Sequence, residues 1–302
     1  MLINTLQGTQ LRHEWRCVNG IRLHCVIAGQ GPLIVLLHGF PEFWYSWRNQ
    51  IPVLAAHFTV VAPDLRRYSL SDKPARIKDY ELPTLVADVV ELIRSFGADQ
   101  AIVAGHDWGG AIAWEMALTR PDVIRRLIIL NAPHPRLFVQ NLIMNPRQML
   151  RSWYTGFFQL PVMPEALFRA ENYRAIERVF RRTAVHKERF TDEVIEQYIQ
   201  AAAQPGALTS AINYYRANAR RGLLSLAASG SVVRSPTLVI WGEQDMALGK
   251  ELNDRLDHYA PALTLRFIPD ASHWVQQDRP DLVNRYMLHF IHRSEYASLD
   301  KH

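Results

Sequence analysis

The sequence predicts a doubly wound α/β fold with a mostly parallel sheet, interrupted by one helical insertion. Three observations carry that reading. Short apolar, β-rich runs recur at 21–27, 33–37, 59–62, 101–104, 127–130, 237–241 and 263–268. Several lack polar alternation, the pattern of strands covered on both faces of a parallel sheet. Helix-like stretches lie between them, and strand alternating with helix is the signature of a doubly wound sheet. The alternation stops after residue 130 and resumes at 237, with a mostly helical stretch between.

Taken in order, residues 84–96 carry Leu85, Val89, Leu92 and Phe96 at helical spacing. Residues 111–118, 250–258 and 280–291 read as helices as well, the last opening with Pro280, a residue suited to a helix start. Inside the insertion, 165–182 sets Leu167, Ala170, Tyr173, Ile176 and Phe180 on one face, and 192–203 and 207–219 read as further helices. Glu165 with Arg169, and Glu177 with Arg181, stand at the i,i+4 spacing of helix-surface ion pairs. Pro133, Pro135, Pro146, Pro161, Pro164, Pro205 and Gly206 punctuate the stretch. The expected division is a core of residues 1–132 and 223–302 and a helical cap, or lid, of residues 133–222.

Composition excludes several classes of function. A chain of 302 residues, 48% hydrophobic and 10% aromatic, can bury a full core, which removes wholesale disorder. Cys17 and Cys25 are too few for a disulfide framework and lack zinc-site spacing, so a reducing compartment is expected. The first residues lack an apolar signal core, and no apolar run approaches the roughly 20 residues that span a bilayer. A cytoplasmic protein with no integral membrane segment is expected. The sequence pI near 9.3 and formal charge of +5 raise nucleic acid as a partner, yet no nucleic-acid-binding signature is present. Residues 133–222 hold 13 Lys and Arg against 7 Asp and Glu, so the basic excess belongs to the insertion.

The chemistry concentrates just past the predicted strands. Gly105-His106-Asp107-Trp108-Gly109-Gly110 follows one strand and precedes a helix. Glycines there permit a sharp strand-to-helix turn that lifts the central side chain above the sheet, the geometry of a nucleophile elbow with Asp in place of Ser. The plainer reading makes Asp107 a helix cap. Trp241-Gly242-Glu243-Gln244-Asp245 offers an acid after a later strand, with Glu243 competing with Asp245. Ala271-Ser272-His273-Trp274 offers a base after the last. Nucleophile, acid, histidine is the chain order of α/β-hydrolase triads. His38-Gly39-Phe40-Pro41 can present the Phe40 N–H beside that of Trp108 as a two-donor oxyanion hole, with Phe40-Pro41 a candidate cis peptide and His38 a structural residue. A carboxylate nucleophile suits displacement at saturated carbon, giving an alkyl ester of Asp107 that His273-activated water hydrolyses. Epoxides and alkyl halides are the two substrate classes left. Epoxide opening produces an alkoxide that phenol hydroxyls can stabilise, and Trp153-Tyr154-Thr155 and Asn213-Tyr214-Tyr215-Arg216 supply candidates.

Together with Asn131-Ala132-Pro133-His134-Pro135 and Phe158-Gln159, these motifs resemble the soluble-type epoxide hydrolases of the α/β-hydrolase superfamily, from about residue 12 to 292. The resemblance implies the α/β-hydrolase fold, an activity converting epoxides to vicinal diols, and a hydrophobic epoxide as the small-molecule partner. It implies Asp107 as nucleophile, His273 as general base and Asp245 as the acid orienting it. Tyr154 and Tyr215 match the two cap tyrosines that activate the epoxide oxygen, Tyr215 being preferred over Tyr214. Phe40 and Trp108 match the oxyanion residues, and Trp108, Trp153, Phe158 and Tyr214 are candidate substrate-binding residues. No motif implies a metal or organic cofactor. Haloalkane or haloacid dehalogenases, which share the Asp nucleophile, are the alternative. Haloalkane dehalogenases usually carry Asn at the position of Phe40, and fluoroacetate dehalogenases usually carry Arg after the nucleophile.

One segment departs from the pattern. In Asp64-Leu65-Arg66-Arg67-Tyr68-Ser69-Leu70-Ser71 the family usually has glycine at the position of Arg67 and glycine or asparagine at that of Ser69. If the loop keeps its left-handed backbone, each of these residues strains it by about 1 kcal/mol or more.

Overall fold

The computed structural model describes residues 2–220 and 232–299, so the cap-to-core boundary expected at 222/223 lies outside the described residues. A small hairpin of β1 (Thr5–Leu6) and β2 (Thr9–Gln10) precedes an eight-stranded sheet. Its strands are β3 (Arg12–Val18), β4 (Ile21–Ala28), β5 (Leu33–Leu37), β6 (Thr59–Pro63), β7 (Ala101–His106), β8 (Ile124–Leu130), β9 (Thr237–Gly242) and β10 (Leu263–Ile268). In space they run β10-β9-β8-β7-β5-β6-β4-β3. The six strands from β10 to β6 are parallel, and β4 and β3 close one edge antiparallel. Every residue of β5, β7 and β9 is buried, as unalternated apolar runs require.

The sequence reading missed β3. All its residues but Val18 are exposed or half-buried, because an edge strand needs no apolar run to stay paired.

The helices beside the sheet are α1 (Ile51–Ala55), α2 (Leu82–Ser95) and α3 (Trp108–Thr119). Between β8 and β9 lie α4 (Pro135–Met144), α5 (Pro146–Arg151), α6 (Trp153–Phe157), α7 (Met163–Thr183), α8 (Asp192–Ala203) and α9 (Ala207–Arg220). Near the C-terminus come α10 (Val275–Asp278) and α11 (Pro280–Leu299). Two expected helices differ. Residues 250–258 form two 3-10 turns, Lys250–Asn253 and Leu256–His258, because Arg255 between them takes φ 62°. The single helix expected over 165–182 breaks at Ala170–Tyr173, where Glu171, Asn172 and Tyr173 have positive φ. That break turns Leu167 to solvent, while Phe168, Ile176 and Phe180 are buried. Glu165 and Arg169 both precede the break, but Arg169 reaches the Thr209 hydroxyl at 3.2 Å. Glu165 instead pairs with Arg216 of α9 at 2.6 Å, whereas Glu177 does face Arg181 at 3.5 Å.

The chain passes from β5 to β6 on one side and then returns to lay β7 on the other side of β5. Such a reversal opens a crevice at the carboxyl ends of the two flanking strands. The loops after β5 and β7 start at His38 and Asp107, so the fold brings both motifs to that crevice. No helix among the described residues is long and apolar enough to cross a membrane.

Candidate active site

β7 ends at His106 and α3 begins at Trp108, so Asp107 alone turns the chain, at φ 50° and ψ −119°. A residue held there costs about 1–3 kcal/mol, which the surrounding packing must offset. Glycine makes the turn possible: a Cβ on Gly109 would collide with the Leu37 and His38 carbonyls, and one on Gly105 with the Gly109 carbonyl. The Asp107 side chain makes no bond to the first turn of α3, so it is not a helix cap.

The carboxylate is held asymmetrically. The Phe40 N–H donates to Asp107 Oδ1 at 2.8 Å, from a loop whose Phe40-Pro41 bond is cis. Trp108 opens α3, so its N–H is one of the helix-terminal donors without an intrahelical acceptor. Oδ2 lies 3.6 Å from Nε2 of His273, an ion-pair distance that stops short of a hydrogen bond. His273 Nδ1 donates to Asp245 Oδ2 at 2.7 Å. Asp245 also accepts the N–H groups of Ala247 (2.8 Å) and Leu248 (2.9 Å) and an N–H of the Asn131 side chain (2.8 Å). Glu243 pairs with Lys250 toward solvent and takes no part. His38 is buried between the Gly39 carbonyl and the Leu65 N–H.

The charges of this buried row support one another. Burial works to raise the Asp107 carboxyl, yet His273 beside it outweighs burial and holds it below the usual range. Asp245 is lowered in the same way, against burial, by His273 and its N–H donors. Burial opposes the charge on His273, but Asp245 and Asp107 on either side push it well above the ordinary imidazole value. The resting state is therefore carboxylate, imidazolium, carboxylate.

Over Asp107 stands an aromatic wall. Tyr215 of α9 meets Phe40, Trp108, Tyr154 and Phe158 with ring centroids 4.7–6.0 Å apart. Burial and the Asp107 charge push the hydroxyls of Tyr215 and Tyr154 well above the ordinary phenol range, so both keep their protons. The Tyr214 hydroxyl points elsewhere, donating to the Arg66 carbonyl at 3.0 Å, and only its ring edge reaches Trp108. Trp153 stands 68% exposed, with Phe157 beside it. The short helix α6 turns Tyr154 and Phe158 inward and leaves Trp153, expected as a substrate-binding residue, facing solvent.

Several residues of the site were absent from the sequence reading in these roles. Asn131, at φ 39°, ties Asp245 to the Gly242 N–H. His106 bonds Glu42 Oε2 through Nδ1 and the His273 carbonyl through Nε2, both at 2.8 Å, bracing the His273 loop from behind. Phe168 packs on Phe40 and Phe158, and Tyr68 with Ser69 lines a narrow slot that runs from Phe40 to Ala201 and Leu208. Asn131 and His106 sat inside quoted motifs, but their partners are more than 60 residues away in sequence.

An α/β hydrolase fold family matches residues 32–280, most of the chain. The mouse (Mus musculus) protein Epoxide hydrolase 4 is 39% identical over 281 residues, covering 90% of this chain and 77% of its own. The chain belongs to the epoxide hydrolases of the α/β-hydrolase superfamily. It is a hydrolase. Another relative, the AB hydrolase superfamily protein YfhM of Bacillus subtilis, is 44% identical, covering 90% of this chain and 95% of its own. Among solved structures, an epoxide hydrolase from Bacillus megaterium superposes with a TM-score of 0.87 at 32% identity, over 92% of this chain and all of that one.

Proposed function

We propose that this epoxide hydrolase converts a hydrophobic epoxide to its vicinal diol through an alkyl ester of Asp107. The observation that carries the reading is the asymmetric carboxylate, with Oδ1 held by the Phe40 N–H and Oδ2 facing His273 without a hydrogen bond. Oδ2 attacks an epoxide carbon and the C–O bond breaks. Its electron pair goes to the ring oxygen, which takes a hydrogen bond or proton from Tyr154 and Tyr215.

Forming the ester removes the Asp107 charge, one of the two that hold His273 protonated. The His273 proton then replaces the one the ring oxygen takes through Tyr154 and Tyr215, which leaves His273 neutral and available as a base. Neutral His273, still bonded to Asp245, takes a proton from water and the hydroxide adds to Asp107 Cγ. Oδ1 becomes the oxyanion beside the Phe40 and Trp108 N–H groups. Collapse breaks the Cγ–O(alkyl) bond, the departing alkoxide takes the proton from His273, and the carboxyl proton left on Asp107 passes to His273 to restore the starting charges. The helices α4–α9 act as the cap that supplies the tyrosines and the apolar wall, and the enclosed aromatic surface favours a hydrophobic guest.

Diol formation by Asp107→Ala and by wild type on a panel of terminal and aryl epoxides tests the reading. No turnover by the variant is expected. Wild-type rates in Asp107→Ala, or halide release from chloroalkanes with no activity on any epoxide, would overturn it.

A further inference from the structure

The outer side of α4–α6 carries large apolar residues that neither the core nor the site uses. Ile143, Met144, Met149, Leu150 and Trp153 are each 55–72% exposed on three consecutive helices. Met246, 63% exposed, lies beside them, because Gln148 of α5 donates to the Ala247 carbonyl at 2.8 Å. Together they expose several hundred Å² of side chain, the size at which a patch marks an interaction surface.

Its charge says what it meets. Residues 133–164 contain Arg136, Arg147 and Arg151 and no Asp or Glu. Arg136 lies over the Tyr259 ring, but Arg147 and Arg151 are exposed and form no ion pair among the described residues. At the rim, near Gly249, Glu251 approaches the Arg151 side, and Glu243 is taken by Lys250. Met, Leu, Ile and Trp side chains beside the exposed Arg147, and beside Arg151 with only Glu251 near it, are the composition of a face that sinks into the headgroup boundary of an anionic membrane. A second copy docked through the same face would bring Arg147 and Arg151 toward their own equivalents, which disfavours it.

We propose that the α4–α6 face docks on an anionic bilayer surface. Trp153 anchors at the interface, while the adjacent Tyr154 lines the site, so docking turns the α6 wall of the active site toward lipid. An apolar substrate dissolved in the bilayer is then delivered beside the catalytic cleft.

The test is flotation of the full chain with vesicles of phosphatidylcholine alone and of phosphatidylcholine with phosphatidylglycerol. Binding to the mixed vesicles is expected, weakened by high salt. Leu150→Ser combined with Met144→Ser lowers the partition coefficient by about tenfold or more, and Arg151→Gln by about fivefold. Turnover of a water-soluble epoxide stays at the wild-type rate in these variants, since none of the three residues belongs to the site. No flotation with the mixed vesicles, equal flotation of the variants, or a wild-type dimer that Leu150→Ser dissociates would overturn the proposal. Flotation does not depend on turnover, so its failure leaves the catalytic reading standing.

Discussion

Replacing Arg67 by glycine is expected to stabilise the protein. Arg67 takes φ 71° and Ser69 φ 44°, so the loop has kept its left-handed backbone with side chains that oppose it. Relief of that conformation at Arg67 contributes about 1–2 kcal/mol. The Arg67 side chain is buried, and its Nε and Nη1 have no hydrogen-bond partner among the described residues, which costs roughly another 1–3 kcal/mol. Burial accordingly lowers the guanidinium's proton affinity below the ordinary arginine value, with Asp79 only partly compensating. Two terms oppose the gain. The guanidinium lies 5.1 Å from the Tyr80 ring centroid, a contact that contributes about 0.5–2 kcal/mol. Glycine also makes the unfolded chain freer by about 0.5–1 kcal/mol. The Arg67 N–H bond to the Asp72 carbonyl (3.1 Å) survives the substitution.

The balance is a stabilisation of about 1–2 kcal/mol, or a rise in Tm of roughly 1.5–3 °C for a protein of this size. Urea unfolding followed by tryptophan fluorescence should show a higher midpoint at an unchanged m value. A lower midpoint would mean that packing on Tyr80 outweighs the backbone strain and the orphaned donors together, and the reasoning would fail.

Other outcomes follow from the site. Tyr215→Phe removes one hydrogen bond to the developing alkoxide, so single-turnover alkylation slows by about 10- to 100-fold while ester hydrolysis changes little; equal slowing of both steps would contradict the assignment. Asn131→Ala strips Asp245 of a buried donor and puts alanine at φ 39°, for a loss of about 2–4 kcal/mol in stability, and an unchanged unfolding midpoint would sink this account. Asp107→Asn mimics the neutral ester, so His273 should titrate at lower pH than in wild type by imidazole NMR; an unchanged titration would remove the charge switch. His273, raised in the folded state, adds stability that is complete below its unfolded value of 6.5 and lost as pH rises through its folded value. Asp107 and Asp245, lowered, add stability that is present above 3.8 and lost as pH falls through their folded values. His273→Gln should therefore flatten the alkaline limb of the stability profile, and a limb as steep as in wild type would count against this ion row.

What was legible in the sequence was what local pattern encodes. β5 lies at the expected residues because a buried parallel strand must be continuously apolar, and β10, half-exposed at the sheet edge, lies there because Leu263, Leu265, Phe267 and Ile268 still mark it. The elbow around Asp107 was readable because its glycines have no other purpose than close approach. β3 was not readable, since an edge strand can be polar. The breaks at Arg255 and at Glu171–Tyr173 lie in sequences whose spacing fits a helix; tertiary contacts such as the Glu165–Arg216 pair override that spacing. Trp153 and Phe158 looked alike as aromatics in one motif, and only the turn of α6 separates the solvent-facing ring from the buried one. The bracing by Asn131, His106 and Glu42 joins distant loops and leaves no periodic trace.

The central claim is the covalent ester on Asp107, and single turnover in ¹⁸O-labelled water tests it most directly. With enzyme in excess over epoxide, the account predicts an unlabelled first diol and one ¹⁸O in the peptide containing Asp107. Label in the first diol, with none in that peptide, would mean that water attacks the epoxide directly and would contradict the account.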